Sequence, residues 1–204
     1  AIDFLGKHHF RTWEGGRETY WHYVDSHTLK AQELMGTKDY EMAISHLEAA
    51  LLYPENLEVG KPTHDEKNAM IYYIMGQAYD KMGNSKKAKD SYQKSASAEN
   101  GRGMHDLLYF QAKSNEKIGN SEKAKELFAR LIKIGKEQRE GGGGITLVAV
   151  EEASGNNKSK ANAFYLEALG NMGLGNSKEA KELLESAVSI YKNHLWAKNI
   201  MLNI

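Results

Sequence analysis

KMGNSKKAKDSY, residues 81–92, decides how this chain folds, because it returns as KIGNSEKAKELF at 117–128 and as GLGNSKEAKELL at 173–184. A looser copy, TKDYEMAISHL, begins at Thr37. Self-similarity at intervals of tens of residues marks a repeat protein, in which each unit buries its apolar face against its neighbours. The copies share Ala43, Ala88, Ala124 and Ala180, each followed four residues later by Leu47, Tyr92, Phe128 and Leu184. Four residues is one helical turn, so each small and large pair lies on one helix face.

The residues around the motif supply the rest of a helix-turn-helix unit. Twelve positions before the shared alanines stand Ala31, Gly76, Ala112 and Ala168, all small enough for two helices to approach closely. Four positions earlier in the last three copies stand Tyr72, Leu108 and Phe164, large enough to fill the space between pairs. Gly-Asn-Ser at 83–85, 119–121 and 175–177 is helix-stop and helix-start chemistry. Glycine takes the left-handed conformation at a helix end, and Asn or Ser accepts a bond from the free amides of the next helix. Thr63 and Glu66 have capping-box spacing. The pattern predicts helices over 17–35, 39–52, 64–82, 85–98, 104–118, 121–135, 159–174 and 177–191, with a short last one from His194.

Composition agrees and removes several function classes. With 27 Lys plus Arg against 27 Asp plus Glu the chain is formally neutral, so no general attraction to nucleic acid or an anionic membrane surface is expected. No apolar run approaches the length of a membrane span. The absence of Cys excludes disulfides, thiolate metal sites and Cys nucleophiles. A neutral chain without cysteine and without a visible targeting segment is compatible with the cytoplasm, the location expected here.

These offsets resemble the tetratricopeptide repeat, a helix-turn-helix unit of about 34 residues. The resemblance implies an all-α, right-handed superhelix of about four repeats, near 24–57, 69–102, 105–138 and 161–194, ended by a capping helix within a single domain over 1–204. The shared alanines are 45, 36 and 56 residues apart. Insertions are therefore expected at 53–63, YPENLEVGKP and its neighbour, and at 136–159, where loops of a repeat stack can carry binding. In the first of these, Asn56, Leu57 and Lys61 are candidate contacts.

In such stacks the first helix of each pair lines the inner groove. The resemblance places Tyr73, Tyr109 and Tyr165 there, with Thr28 in the first unit, as an aromatic ladder suited to a peptide or a sugar. The same tyrosines would equally serve as half-buried core residues of an ordinary stack. One turn on come Gln77, Lys113 and Leu169, then Asp80 and Glu116. The Lys and Asn pattern by which chaperone-binding members clamp a peptide carboxylate is absent from these positions, which argues against a chaperone-tail receptor.

Other constellations are weaker. Gly141 to Gly144 could cradle an anion through free backbone amides, but ITLVAV follows where a phosphate loop needs a helix carrying Lys with Ser or Thr. The stretch reads instead as a flexible tether to a short extended segment. His22 and His27 are five apart, which is not the spacing of two metal ligands on one helix face, so no metal and no cofactor is expected. No nucleophile, base and acid stand in a recognisable motif, so the chain is expected not to be an enzyme.

HFRTWEGGRETYWHYVDSH at 9–27, the YPENLEVGKP loop, and the ending from Asn162 together resemble something narrower. They are similar to the C-terminal repeat region of large bacterial proteins of unknown function, whose N-terminal parts look like mutarotase or glycosidase-accessory modules. The resemblance implies a fragment of a longer protein and an association with carbohydrate metabolism. The segment ITLVAVEEASGNNKS departs from that pattern. Two readings follow. In one, the chain is a non-enzymatic module that binds a protein or peptide, or docks on the N-terminal part of its own parent. In the other, it contributes to a sugar site through Trp13, Trp21 and His22, since sugars stack on exposed indole faces. A bare structural spacer is the third.

Overall fold

The computed structural model describes residues 1–11, 16–60, 67–101, 103–141 and 151–202, with backbone alone at 16, 17 and 151–155. Trp13, Lys61, the Thr63 and Glu66 capping box, and the stretch from Gly142 to Val150 lie outside the described residues. Among the described residues there is no strand; the helices are α1 Ile2–Lys7, α2 Gly16–Gly36, α3 Tyr40–Ala50, α4 Asn68–Lys81, α5 Ser85–Ser97, α6 Leu107–Lys117, α7 Ser121–Glu140, α8 Glu151–Gly173, α9 Ser177–Ile190 and α10 Leu195–Met201. A 3-10 turn spans Glu55–Leu57. None of these helices is long and apolar enough to cross a membrane.

The chain divides into two compact units, Ala1–Gly119 and Asn120–Ile204. In the first, α2 packs on α3, α4 on α5, and α6 on both α4 and α5. The turns that fold these hairpins obey the expected chemistry. Gly83 takes φ +75°, the Asn84 amide donates back to the Tyr79 carbonyl at 2.9 Å, and Asn84 Oδ1 accepts from the Lys87 amide at 3.2 Å. In the first hairpin Lys38 holds the equivalent left-handed position, at φ 65°, and Asp39 caps the Met42 amide at 3.3 Å.

The repeat residues form the core. Ala31, Ala112 and Ala168 have no exposed surface, nor has Ala43, and Ala88, Ala124 and Ala180 have 1%. Leu47, Phe128 and Leu184 are fully buried and Tyr92 nearly so. Gly76 is small because the Tyr92 ring covers it: a Cβ there would lie 2.6 Å from that ring. Three buried hydroxyl bonds add specificity between α4, α5 and α6. Ser95 Oγ donates to the Ala69 carbonyl at 2.7 Å, and more weakly to that of Phe110 at 3.4 Å, while Ser114 Oγ donates to Ser95 Oγ at 2.7 Å.

In the second unit α7 packs on α8, α8 on α9, and α10 on α9. Here the structure differs from the sequence expectation of an insertion over 136–159. α7 runs on to Glu140 and α8 begins at Glu151, so much of that stretch is helix. The physical reason lies in the α7 and α8 contact. Gly135 leaves room for the buried Glu167 side chain, whose Cγ would be 2.5 Å from a Cβ on Gly135. Arg139 then reaches back from the last turn of α7, with its Nε 3.2 Å from Glu167 Oε1 and its guanidinium over the Phe164 ring at 5.0 Å. Those contacts hold α7 helical past the residue where the repeat pattern ends.

Candidate functional site

In the first unit α4 lies beside α6, and α2 touches α4, so the first helices of successive hairpins share one face. Six predicted groove residues gather on α4 and α6. Tyr73 hydroxyl accepts from Gln77 Nε2 at 3.2 Å. Asp80 accepts from the Tyr92 hydroxyl at 2.7 Å and from Lys117 Nζ at 3.4 Å. Lys113 pairs with Glu116 one turn on. Burial first, then Tyr109, Glu116 and Asp80, push the Tyr73 hydroxyl above the usual tyrosine range. Burial and then Glu116 do the same to Tyr109. These phenols stay protonated and remain hydrogen-bond donors.

Exposure separates the tyrosines. Tyr73 is 8% exposed and Tyr165 3%, so both pack as core side chains, whereas Tyr109 is half-buried. Tyr73 sits against the Tyr92 and Phe110 rings at 6.0 and 5.9 Å. Tyr165 lies in the second unit against His194 at 4.7 Å, and Leu169 is fully buried there. Thr28 is buried too, its hydroxyl donating to the Val24 carbonyl at 2.8 Å. A solvent-facing ladder of three tyrosines is therefore not what the fold presents: a β-carbon position aimed at a groove does not keep a large ring out of the core when the next helix packs over it.

The 53–63 loop corrects another expectation. Asn56 and Leu57 are not free to meet a partner, because they hold the N-terminal segment of this chain. Asn56 Nδ2 donates to the Leu5 and His8 carbonyls, each at 2.8 Å, and the Phe10 amide donates to the Asn56 carbonyl at 2.7 Å. Leu57 is 2% exposed, and His9 Nε2 lies 2.8 Å from Glu58 Oε1. The aromatic N-terminal stretch is also largely internal. Tyr20 is fully buried and stacks on Tyr53 at 4.1 Å. Trp21 is half-buried and His22 exposed, so of the candidate sugar platform the described residues contain one partly available indole.

Sequence reading missed Lys117 and Tyr92 at the α4 and α6 face, and a sheltered ion pair between Lys67 Nζ and Asp25 at 2.5 Å. Burial raises the Asp106 carboxyl, against the opposing pull of Lys67. His27 and His46 also meet, Nδ1 to Nδ1, at 3.1 Å. Burial, then the His46 charge, lowers His27 to about 4. No contiguous motif announces these contacts, since the partners are 12 to 42 residues apart. No group of three or more metal-ligating side chains occurs among the described residues.

Comparison with known proteins supports the repeat assignment. Tetratricopeptide repeat models match residues 24–56 and 69–101, and a second version of that model matches 106–134. No curated protein matches the chain. Among solved structures the chain is similar to YrrB, described as a TPR protein with an unusual peptide-binding site, at 22% identity over 86% of this chain and 90% of that one. The TM-score is 0.32, too low for geometry to be transferred.

Proposed function

We propose that this chain is a non-enzymatic protein-interaction module whose α4 and α6 face receives a peptide segment of a partner. The observation that carries the reading is the gathering of Tyr109, Gln77, Asp80, Lys113 and Glu116 beside one another on matched repeats. Repeat stacks present such faces as extended binding surfaces. Tyr109 is the anchor, because it alone of the three groove tyrosines is half-buried and not packed into the core. Gln77 and the protonated phenol offer amide and hydroxyl bonds to a peptide backbone. The charges around them are paired within the chain, so the surface favours hydrogen-bonding and aromatic contact over capture of a charged terminus. An outside protein and another part of a longer parent chain would meet the same face.

A photo-crosslinking amino acid at position 109, compared with one at exposed Lys87 on α5, tests this in lysate of the source cell. A polypeptide captured at 109 and not at 87, with affinity falling at least about fivefold in Tyr109→Ala, is the expected result. Equal capture at both positions, or unchanged affinity of the alanine variant, would refute it.

A further inference from the structure

The turn that follows α3 holds residues 5–10 of this chain as a binding site holds a peptide. α1 has six residues, and a helix that short does not persist in water without a surface to form on. Asn56 supplies that surface: its Nδ2 donates to the Leu5 and His8 carbonyls, each at 2.8 Å, and its own carbonyl accepts from the Phe10 amide at 2.7 Å. Residue 56 therefore brackets residue 9 from both sides. These bonds go to main-chain atoms, so they accept any sequence, and two side chains supply the selection. Leu5 is 7% exposed, packed where α1 meets α2 and the Glu55–Leu57 turn. His9 Nε2 lies 2.8 Å from Glu58 Oε1, and Glu58 is a non-glycine residue at φ 48°, a left-handed conformation that costs energy.

The segment is held lightly, and the turn that holds it is closed without it. From Ile2 to Arg11 Leu5 is the one buried side chain. Phe4 stays 58% exposed, its ring stacked on His8 at 5.0 Å and edge-on to Phe10 at 5.8 Å, so these rings cover one another and not the core. A segment with a single buried anchor belongs to the low-stability end of a fold and opens while the rest stays closed. The turn keeps its shape through bonds of its own. The Leu57 amide donates to the Pro54 carbonyl at 3.1 Å, the Glu58 amide donates to the Glu55 carbonyl at 3.0 Å, and Leu57 is buried beneath them. Donor, acceptor and carboxylate thus remain in place when the segment leaves.

We propose that the 54–58 turn is a peptide-recognition site closed in cis by residues 5–10, and that it takes a partner segment with an apolar anchor in place of Leu5 and a lysine or arginine four residues later, opposite Glu58. Lysine and arginine keep their charge over the range in which imidazole side chains titrate, so such a segment makes a lasting ion pair where the chain itself offers a histidine. The cis segment sets the threshold. A tethered competitor acts at an effective concentration on the order of millimolar, so only a better-matched segment displaces it. The site uses none of the α4 and α6 residues and does not rest on the reading of that face.

The test is fluorescence anisotropy of a labelled synthetic peptide with the sequence of residues 2–11 and the change His9→Lys, titrated with the full chain. Two variants open the cis site: Leu5→Asp expels the anchor, and Phe10→Pro removes the amide that bonds Asn56 and leaves the anchor untouched, which keeps the test open if the first variant fails to fold. Saturable binding to an opened chain, at least about tenfold tighter than to wild type, is the expected result. A peptide that carries Leu5→Asp as well should bind at least about tenfold more weakly. Adding Glu58→Gln to the opened chain should bring the His9→Lys peptide down to the level of the unsubstituted one, and adding Asn56→Ala should weaken both. No saturation by either opened chain up to about 1 mM, wild type binding as tightly as the opened chains, or equal binding of the Leu5→Asp peptide would overturn the proposal.

Discussion

Gly170→Ala sets two magnitudes of opposite sign against each other at one atom. Gly170 sits in the body of α8, where alanine is a better helix former by about 1 kcal/mol, so propensity alone predicts stabilisation. Packing predicts the reverse. A Cβ at 170 would stand 2.6 Å from the Phe128 carbonyl oxygen, 2.6 Å from Ile132 Cγ1 and 3.1 Å from the Ile132 amide nitrogen. Two of those three atoms are α7 backbone, which cannot rotate away as a side-chain end can. Restoring ordinary contact distances requires the helices to separate by roughly 0.5–1 Å, and a gap of that size already forfeits a quarter to a half of the dispersion energy at each contact it opens. Overpacking of this kind costs about 1–3 kcal/mol. With two backbone atoms of α7 in the way the packing cost outweighs propensity, and the net expectation is a loss of up to about 2 kcal/mol.

Gly6→Ala is the matched control, because nothing lies within 4 Å of a Cβ there. Urea unfolding followed by circular dichroism at 222 nm should show a lower midpoint for Gly170→Ala with an unchanged slope, and an equal or higher midpoint for Gly6→Ala. If Gly170→Ala proved as stable as wild type, the close approach of α7 and α8 would be wrong, and with it the account of why α7 continues to Glu140.

Two further outcomes follow from the first unit. His27 is 7% exposed and lowered to about 4, against about 6.5 in an unfolded chain. Above pH 6.5 both states hold it neutral and it contributes nothing. As pH falls below 6.5 the unfolded chain takes up the proton first, so stability drops toward pH 4, by about 2 kcal/mol between pH 7 and 5. Urea midpoints at those two pH values should fall further for wild type than for His27→Gln; an equal fall would show that the His27 and His46 contact does not govern the titration. Asn56→Ala removes the donor shared by the Leu5 and His8 carbonyls, so hydrogen exchange should rise at residues 5–10 and stay unchanged in α4 to α6, by mass spectrometry. Protection retained at 5–10 would mean that Leu57 and the aromatic contacts hold this segment without the amide.

The fold was legible because its determinants are local and repeated. Ala88 and Tyr92 are one turn apart, and Gly83 is followed at once by the residue that caps the next helix, so a reader of the chain sees packing face and turn within twelve positions. Where a determinant is non-local the reading stopped. The end of α7 depends on Glu167, 28 residues beyond Arg139, and on a glycine that looks like any other until α8 is laid across it. The same holds for α1, a six-residue helix secured by an asparagine some fifty positions later.

The binding surface divides along the same line, for a further reason. Spacing tells which helix face a residue occupies, and the expected groove positions Gln77, Asp80, Tyr109, Lys113 and Glu116 fall on α4 and α6, where Gln77 meets Tyr73, Asp80 meets Lys117 and Lys113 meets Glu116. Spacing does not tell how much of a large ring the neighbouring helix covers, which is why Tyr73 and Tyr109, equivalent in the pattern, differ in exposure.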